Sequence, residues 1–179
     1  MRAGLASFSS AGFHGASLRG IAERVGLSQA GLLHHYPSKK RLLEAVLGWR
    51  DDRSRRQLGE PAPEGLDLIR RLATRPTAAC ARQLVQLDAI VSAEAISADY
   101  PVHGYVIERR ARLQETVRVA FERAAAAGDL RPDVDCATAA RTVLALADGL
   151  QLQWLLRPDT ADMEGDLRRC LQPWLTTGL

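Results

Sequence analysis

Apolar side chains recur along this chain mostly at helical spacing, and short polar or Gly/Pro-rich breaks separate the runs. Leu5 and Phe8 begin an apolar face that stops at Gly12-Phe13, where Gly12 can take a left-handed C′ position and Phe13 can fold back on Phe8. This first helix reads as short, as if its true first turn lay upstream of Met1. Ser17 is an N-cap for a second helix, with Leu18, Ile21, Ala22 and Val25 following at i, i+3, i+4 and i+7. Gly26 ends that helix and Ser28 caps a third. The third must finish by Tyr36, because a residue before proline is pushed out of the α region. Ser38 caps a fourth, 38–56, whose apolar side is Leu42, Leu43, Val46, Leu47 and Trp49. Residues 17–36 thus have the outline of a helix-turn-helix.

The stretch SRRQLGEPAP (54–63) is the clearest linker by its charge, Gly and Pro content. Helices are expected over 64–74, from a break at Pro76 to 97, from Pro101 to 127, over 136–156 and over 162–175. GDLRPDVD (128–135) and RPDTAD (157–162) connect the last three. The pattern predicts an all-α protein of about nine helices. The helix 136–156 is apolar on nearly every side. It either touches its own core and something further, such as a second copy, or is the buried central helix of a monomer.

Composition narrows the classes. Hydrophobic residues make up 46% of the 179, enough for a packed core, while 5% aromatics with abundant Ala, Leu and Arg favour helix over strand. The most apolar segment, 143–156, is interrupted by Asp148, Gln151 and Gln153, so no membrane span is expected. No secretory signal opens the chain, which points to the cytoplasm. Cys80, Cys136 and Cys170 are odd in number and far apart, so they read as small buried hydrophobes, not as a disulfide framework or metal site. No nucleophile elbow, phosphate loop, H-E-x-x-H or paired-carboxylate motif is found, so no catalytic residue, metal or cofactor is expected.

Charge is divided unevenly. Residues 1–56 hold ten Lys/Arg against four acids, a net +6, and the remainder carries −3. A basic front suits a polyanion, although a few solvated surface cations would give the same count. The helix-turn-helix outline puts Gln29, Ala30 and Gly31 at the start of the helix that would enter a major groove. Gln29 can pair with adenine N6 and N7. Gly31 costs about 0.8–1.0 kcal/mol against Ala inside a helix, which is useful either for close approach to DNA or for packing against a neighbouring helix. His34 and His35 point about 100° apart, which argues against one metal; either is a phosphate donor or a half-buried residue. Lys39, Lys40 and Arg41 crowd a helix N-terminus that already favours anions, so a phosphate would satisfy them.

The run AGFHGASLRGIAERVGLSQAGLLHHYPSKKRLLEAVL (11–47) resembles the DNA-binding region of the tetracycline-repressor (TetR) family of transcriptional regulators. The resemblance rests on the Gly-Phe turn, the Ser17 cap, the Ile21-Ala22 pair, the Gly26-Leu27-Ser28 turn and the Tyr36-Pro37-Ser38-Lys39 junction. It implies a helix-turn-helix domain over 1–48, joined through the fourth helix to a helical ligand-sensing and dimerisation domain over 49–179. It also implies a homodimer on a near-palindromic double-stranded operator, with DNA contacts from Ser17, Arg19, Ser28, Gln29, Ala30, Gly31, Leu33, His34 and Lys39. Gly31 and Leu33 depart from the Thr/Ser and Tyr common there, and the family's longer first helix is missing.

The same resemblance implies that a small-molecule effector of unknown identity releases the DNA. Polar groups among apolar ones on the long helices make Gln83, Leu87, His103, Ile107, Asp148 and Gln151 candidates for its cavity. Val143, Leu146, Leu150, Trp154, Leu167, Leu171 and Trp174 are candidates for a four-helix dimer interface. The competing reading is a helical ligand-binding or dimerisation module that has lost DNA binding.

Overall fold

Capping residues set most of the helix boundaries. The computed structural model describes residues 1–73, 79–160 and 162–178, and these contain nine α-helices. They are α1 (Arg2–Gly15), α2 (Leu18–Glu23), α3 (Gln29–His35), α4 (Lys39–Leu58), α5 (Gly65–Ala73), α6 (Ala79–Glu94), α7 (His103–Ala126), α8 (Cys136–Leu156) and α9 (Met163–Leu171). The break expected at Pro76 and the side chain of Cys80 lie outside the described residues. The chain divides into two compact units, Met1–Gln57 with Thr77–Ile107, and Leu58–Pro76 with Glu108–Leu179.

In the first unit, α1 continues to Gly15 across a kink at Gly12 (φ 65°, ψ −171°), where the sequence had suggested a stop. The back-folding expected there does occur: the Phe8 and Phe13 rings stack with centroids 6.5 Å apart. Ser17 Oγ caps α2 by accepting from the Gly20 N–H at 3.3 Å, and Ser28 Oγ caps α3 from the Gly31 N–H at 3.0 Å. Gly26 (φ 72°) makes the turn between them, letting the Leu27 N–H reach back to the Ala22 carbonyl at 3.0 Å. α4 places Leu42, Leu43, Val46 and Leu47 in a core shared with Leu5 and Phe8 of α1, Ile21 and Ala22 of α2, Leu32 of α3, and Leu87 and Val91 of α6. α4 runs to Leu58, so the expected linker begins later than 54. Nothing in SRRQL breaks a helix, and Arg55 adds an i,i+3 pair to Asp52 at 2.7 Å; the breakers are Gly59 and Pro61.

One charge enters this core. Arg50 of α4 is 8% exposed; its guanidinium pairs with Asp88 of α6 and, at 3.0 Å, with Asp51. Desolvating a guanidinium is costly, so the carboxylates make its burial tolerable.

The second unit packs α5, the later turns of α7, α8 and α9 around Ile69, Val117, Phe121, Ala140, Val143 and Leu171. Asp135 and Asp162 cap α8 and α9, from the N–H groups of Thr138 (2.8 Å) and Gly165 (3.0 Å). The 128–134 loop is stitched to the C-terminal segment: the Arg131 N–H donates to the Trp174 carbonyl and the Thr176 N–H to the Asp129 carbonyl, both at 2.9 Å. Cys136 is half-buried and burial pushes its thiol pKa up, but Cys170 is exposed on α9, contrary to the expectation of a buried hydrophobe.

Asp88→Ala removes one of the two carboxylates that the buried Arg50 guanidinium pairs with among the described residues. The expected loss of unfolding free energy is about 3 kcal/mol, measured by urea titration; a loss within error of zero would mean that the α4–α6 pair contributes nothing.

Candidate nucleic-acid interface

Among the described residues of α3, Leu32 alone is buried. One anchor on a seven-residue helix leaves the other faces free, and Gln29, Ala30, His34 and His35 are exposed while Gly31 and Leu33 are half-buried. Ser17 and Ser28 are also exposed. Each cap uses an oxygen lone pair and leaves the O–H hydrogen for an outside acceptor such as a phosphate oxygen. Arg19 is exposed and pairs with Glu23 at 2.9 Å along α2.

The two readings of Gly31 can now be separated. A methyl built on Gly31 would lie 3.4 Å from Ser28 Oγ and 3.9 Å from Leu27 Cβ, both ordinary contacts within its own turn. Among the described residues no neighbouring helix presses on it, so close helix packing does not account for the glycine.

The cations at the start of α4 are not equivalent. Lys39 differs from the expected free phosphate clamp: its Nζ donates to the His14 carbonyl at 3.1 Å and sits 4.9 Å above the Phe13 ring, tying the end of α1 to the start of α4. Arg41 pairs with Glu44 at 3.0 Å, and its N–H is capped by Ser38 Oγ at 3.1 Å. Lys40 is exposed and, among the described residues, holds no ion pair. The reach of Lys39 to the His14 carbonyl is not visible in the sequence, where it stands beside Lys40 and Arg41 as an equal cation.

Glu94 is one more polar group on a long helix in the sequence, but its position in the structure is specific. It ends α6 and accepts from the Phe13 N–H with both carboxylate oxygens, at 3.2 and 3.0 Å, and from the Tyr100 hydroxyl at 2.9 Å. Burial and the Glu94 carboxylate raise the Tyr100 pKa, which keeps this hydroxyl a neutral donor.

The residues proposed for an effector cavity are distributed over both units. Gln83 is exposed on α6, Leu87 is fully buried in the core of the first unit, and Ile107 is 54% exposed. The His103 ring Nδ1 lies 2.8 Å from the Ala95 carbonyl. Asp148 and Gln151 belong to the second unit, where Asp148 pairs with Arg110 and burial raises its pKa against the opposing pull of that arginine. Arg109, next to Arg110, has its pKa lowered to about 10, first by burial and then by the neighbouring arginines. Neither unit by itself gathers all six.

The dimer-interface candidates differ in burial. Val143, Leu150, Leu167 and Leu171 are buried in the second unit's own core, and Leu146 and Trp174 are half-buried against it. Trp154 is half-buried. The apolar positions of α8 left outside are Ala145, Gly149, Leu152 and Leu156, spaced as one helical stripe; Leu152 is 52% and Leu156 73% exposed. An all-round apolar helix hides this distinction in its sequence.

Two family models match the chain: "Bacterial regulatory proteins, tetR family" over residues 1–46, and "BetI-type transcriptional repressor, C-terminal" over residues 91–175. The Escherichia coli K12 transcriptional regulator UidR is 26% identical over 144 residues, 80% of this chain and 73% of its own length. RutR from the same organism is 49% identical over 47 residues, 26% of this chain and 22% of its own. A transcriptional regulator from Saccharomonospora viridis, solved in complex with choline, has the same fold, with a TM-score of 0.81 over 98% of this chain and 97% of that one at 22% identity.

Gly31→Ala separates stability from interface. It should raise unfolding free energy by about 0.5–1 kcal/mol while weakening binding to an operator fragment by about tenfold. Thermal melts and anisotropy titrations measure the two. A destabilised variant would restore the packing reading, and unchanged binding would remove Gly31 from the interface.

Proposed function

Since this chain belongs to the TetR family of bacterial regulatory proteins, we propose that it is a ligand-responsive transcriptional regulator. In this reading it acts in the cytoplasm as a repressor, binds a near-palindromic operator as a homodimer, has no catalytic role, and is released by a small-molecule effector. The observation that carries the DNA-binding part is the outward N-terminal half of α3, opened at Gly31, beside an exposed Lys40 on the first turn of α4. Gln29 reads a base edge, and Ala30 and Gly31 bring the helix axis close to the groove floor. The hydroxyls of Ser17 and Ser28, with Lys40 and one imidazole of His34, hold the flanking phosphates. Leu33 offers no phosphate hydrogen bond, which puts more weight on these donors.

Two copies must place their α3 helices about 34 Å apart, one DNA turn. We assign the self-association face to the Ala145, Gly149, Leu152 and Leu156 stripe. Leucines this exposed on a helix are better accounted for by a covered surface than by solvent. Residues 1–48 act as the DNA-binding module and α4 as connector; the remainder senses ligand and dimerises. Among the described residues no helix is long and apolar enough to cross a membrane.

Lys40→Ala should weaken binding equally for all sequences and reduce the slope of log K against log salt by about 0.9, whereas Gln29→Ala should change base preference at one position. Anisotropy titrations at four salt concentrations with matched and scrambled fragments decide between them; an unaltered slope for Lys40→Ala removes its phosphate contact.

Leu152→Glu with Leu156→Glu should convert the dimer to monomers without loss of helicity, read by sedimentation and circular dichroism. A dimer that persists places the interface on another face.

A further inference from the structure

Glu94 stands where simple helix electrostatics disfavours it. The last turn of a helix carries a partial negative charge, so a carboxylate at the end of α6 costs about 0.3–1 kcal/mol unless something offsets it. What offsets it is α1. The kink at Gly12 turns the Phe13 N–H out of the helix ladder, and both Glu94 oxygens take it. The fit depends on the glycine: a side-chain carbon there would lie 2.3 Å from Glu94 Oε1. Tyr100, 5% exposed, donates to the same carboxylate and sets its ring edge-on to Phe13, with centroids 5.9 Å apart. The segment so held, Phe13–His14, is the one that receives Lys39 through the His14 carbonyl and the Phe13 ring. A continuous set of contacts therefore runs from the end of α6, through the α1 kink, to the first residue of α4, all within the first unit.

We propose that Glu94 is a positioning residue for DNA binding: by clamping the freed Phe13 amide it seats Lys39 and thereby sets the placement of the α4 N-terminus against the phosphate strand. This rests on the DNA-binding reading above. Glu94 itself never touches DNA. It acts through the two residues of α1 that α4 is fastened to, and movement of the end of α6 alters DNA affinity by loosening that fastening.

The test uses the full-length protein and fluorescein-labelled fragments tiling the DNA upstream of its own gene, at a temperature well below every variant's unfolding midpoint. Glu94→Ala should weaken binding about tenfold, and Glu94→Gln, which still offers one oxygen to the Phe13 N–H, should recover most of it. In a double-mutant cycle with Lys39→Met, the effect of Glu94→Ala should fall to less than about half of its value in the parent, because both changes break the same path. Hydrogen exchange at the Phe13 amide should accelerate in Glu94→Ala whether or not DNA is present. If Glu94→Ala binds as tightly as the parent while that amide exchanges faster, or if the two substitutions are additive, Glu94 is only a structural cap and the proposal falls. A parent protein that binds none of the fragments overturns the DNA-binding reading and this one with it.

Discussion

A helix of seven residues cannot hold itself together in water, because nucleating a turn costs more than a few backbone hydrogen bonds return. α3 is such a helix, and it persists because Leu32 inserts into a core built by other elements while Ser28 takes up the Gly31 N–H. The arrangement of the first unit follows from that need. α1, α2, α4 and α6 supply the apolar floor, so α3 buries one side chain and leaves Gln29, Ala30, His34 and His35 exposed. A longer helix with two or three buried positions would be more stable alone and would present fewer residues.

Charge supports the same division of labour once ion pairs are taken into account. The basic front half carries a net +6. Arg19, Arg41 and Arg55 nevertheless each lie against a carboxylate three or four residues along their own helix, and Arg50 is buried against Asp88 and Asp51. Exposed i,i+3 and i,i+4 pairs are worth a few tenths of a kcal/mol and break easily when a phosphate offers a better partner. The paired arginines are locally neutral until such a partner displaces the carboxylate, whereas Lys40 holds no ion pair among the described residues.

What was legible in the sequence was local. Ser17, Gly26, Ser28 and the Tyr36-Pro37 junction each act within four residues, and all set the boundaries expected of them. Gly12 was half legible: its positive φ and the Phe8–Phe13 stack were expected, but not that the helix resumes beyond the kink, because what satisfies the Phe13 N–H there is a carboxylate 81 residues away. Lys39's internal contact was hidden for the same reason, since no pattern of spacing reveals a carbonyl 25 residues back. The inner and outer faces of α8 were beyond reach because periodicity needs contrast, and a helix apolar on nearly all sides offers little.

Where the chain departs from local preference, the departures share a pattern. Gly31 weakens a helix that needs support, Lys39 and Lys40 put positive charge at a helix N-terminus, and Glu94 puts negative charge at a C-terminus. Each is unfavourable by helix chemistry alone. Lys39 and Glu94 are compensated inside the first unit, and both compensations converge on Phe13–His14. Gly31 and Lys40 have no compensation there: a side chain at one would meet only its own turn, and the other holds no ion pair among the described residues. Selection for stability alone would remove an uncompensated pair of this kind, since alanine at one and an acidic residue at the other are both better local choices. They stand together at the junction of a short outward helix and the next helix's first turn, and the proposed phosphate contact would complete both from outside.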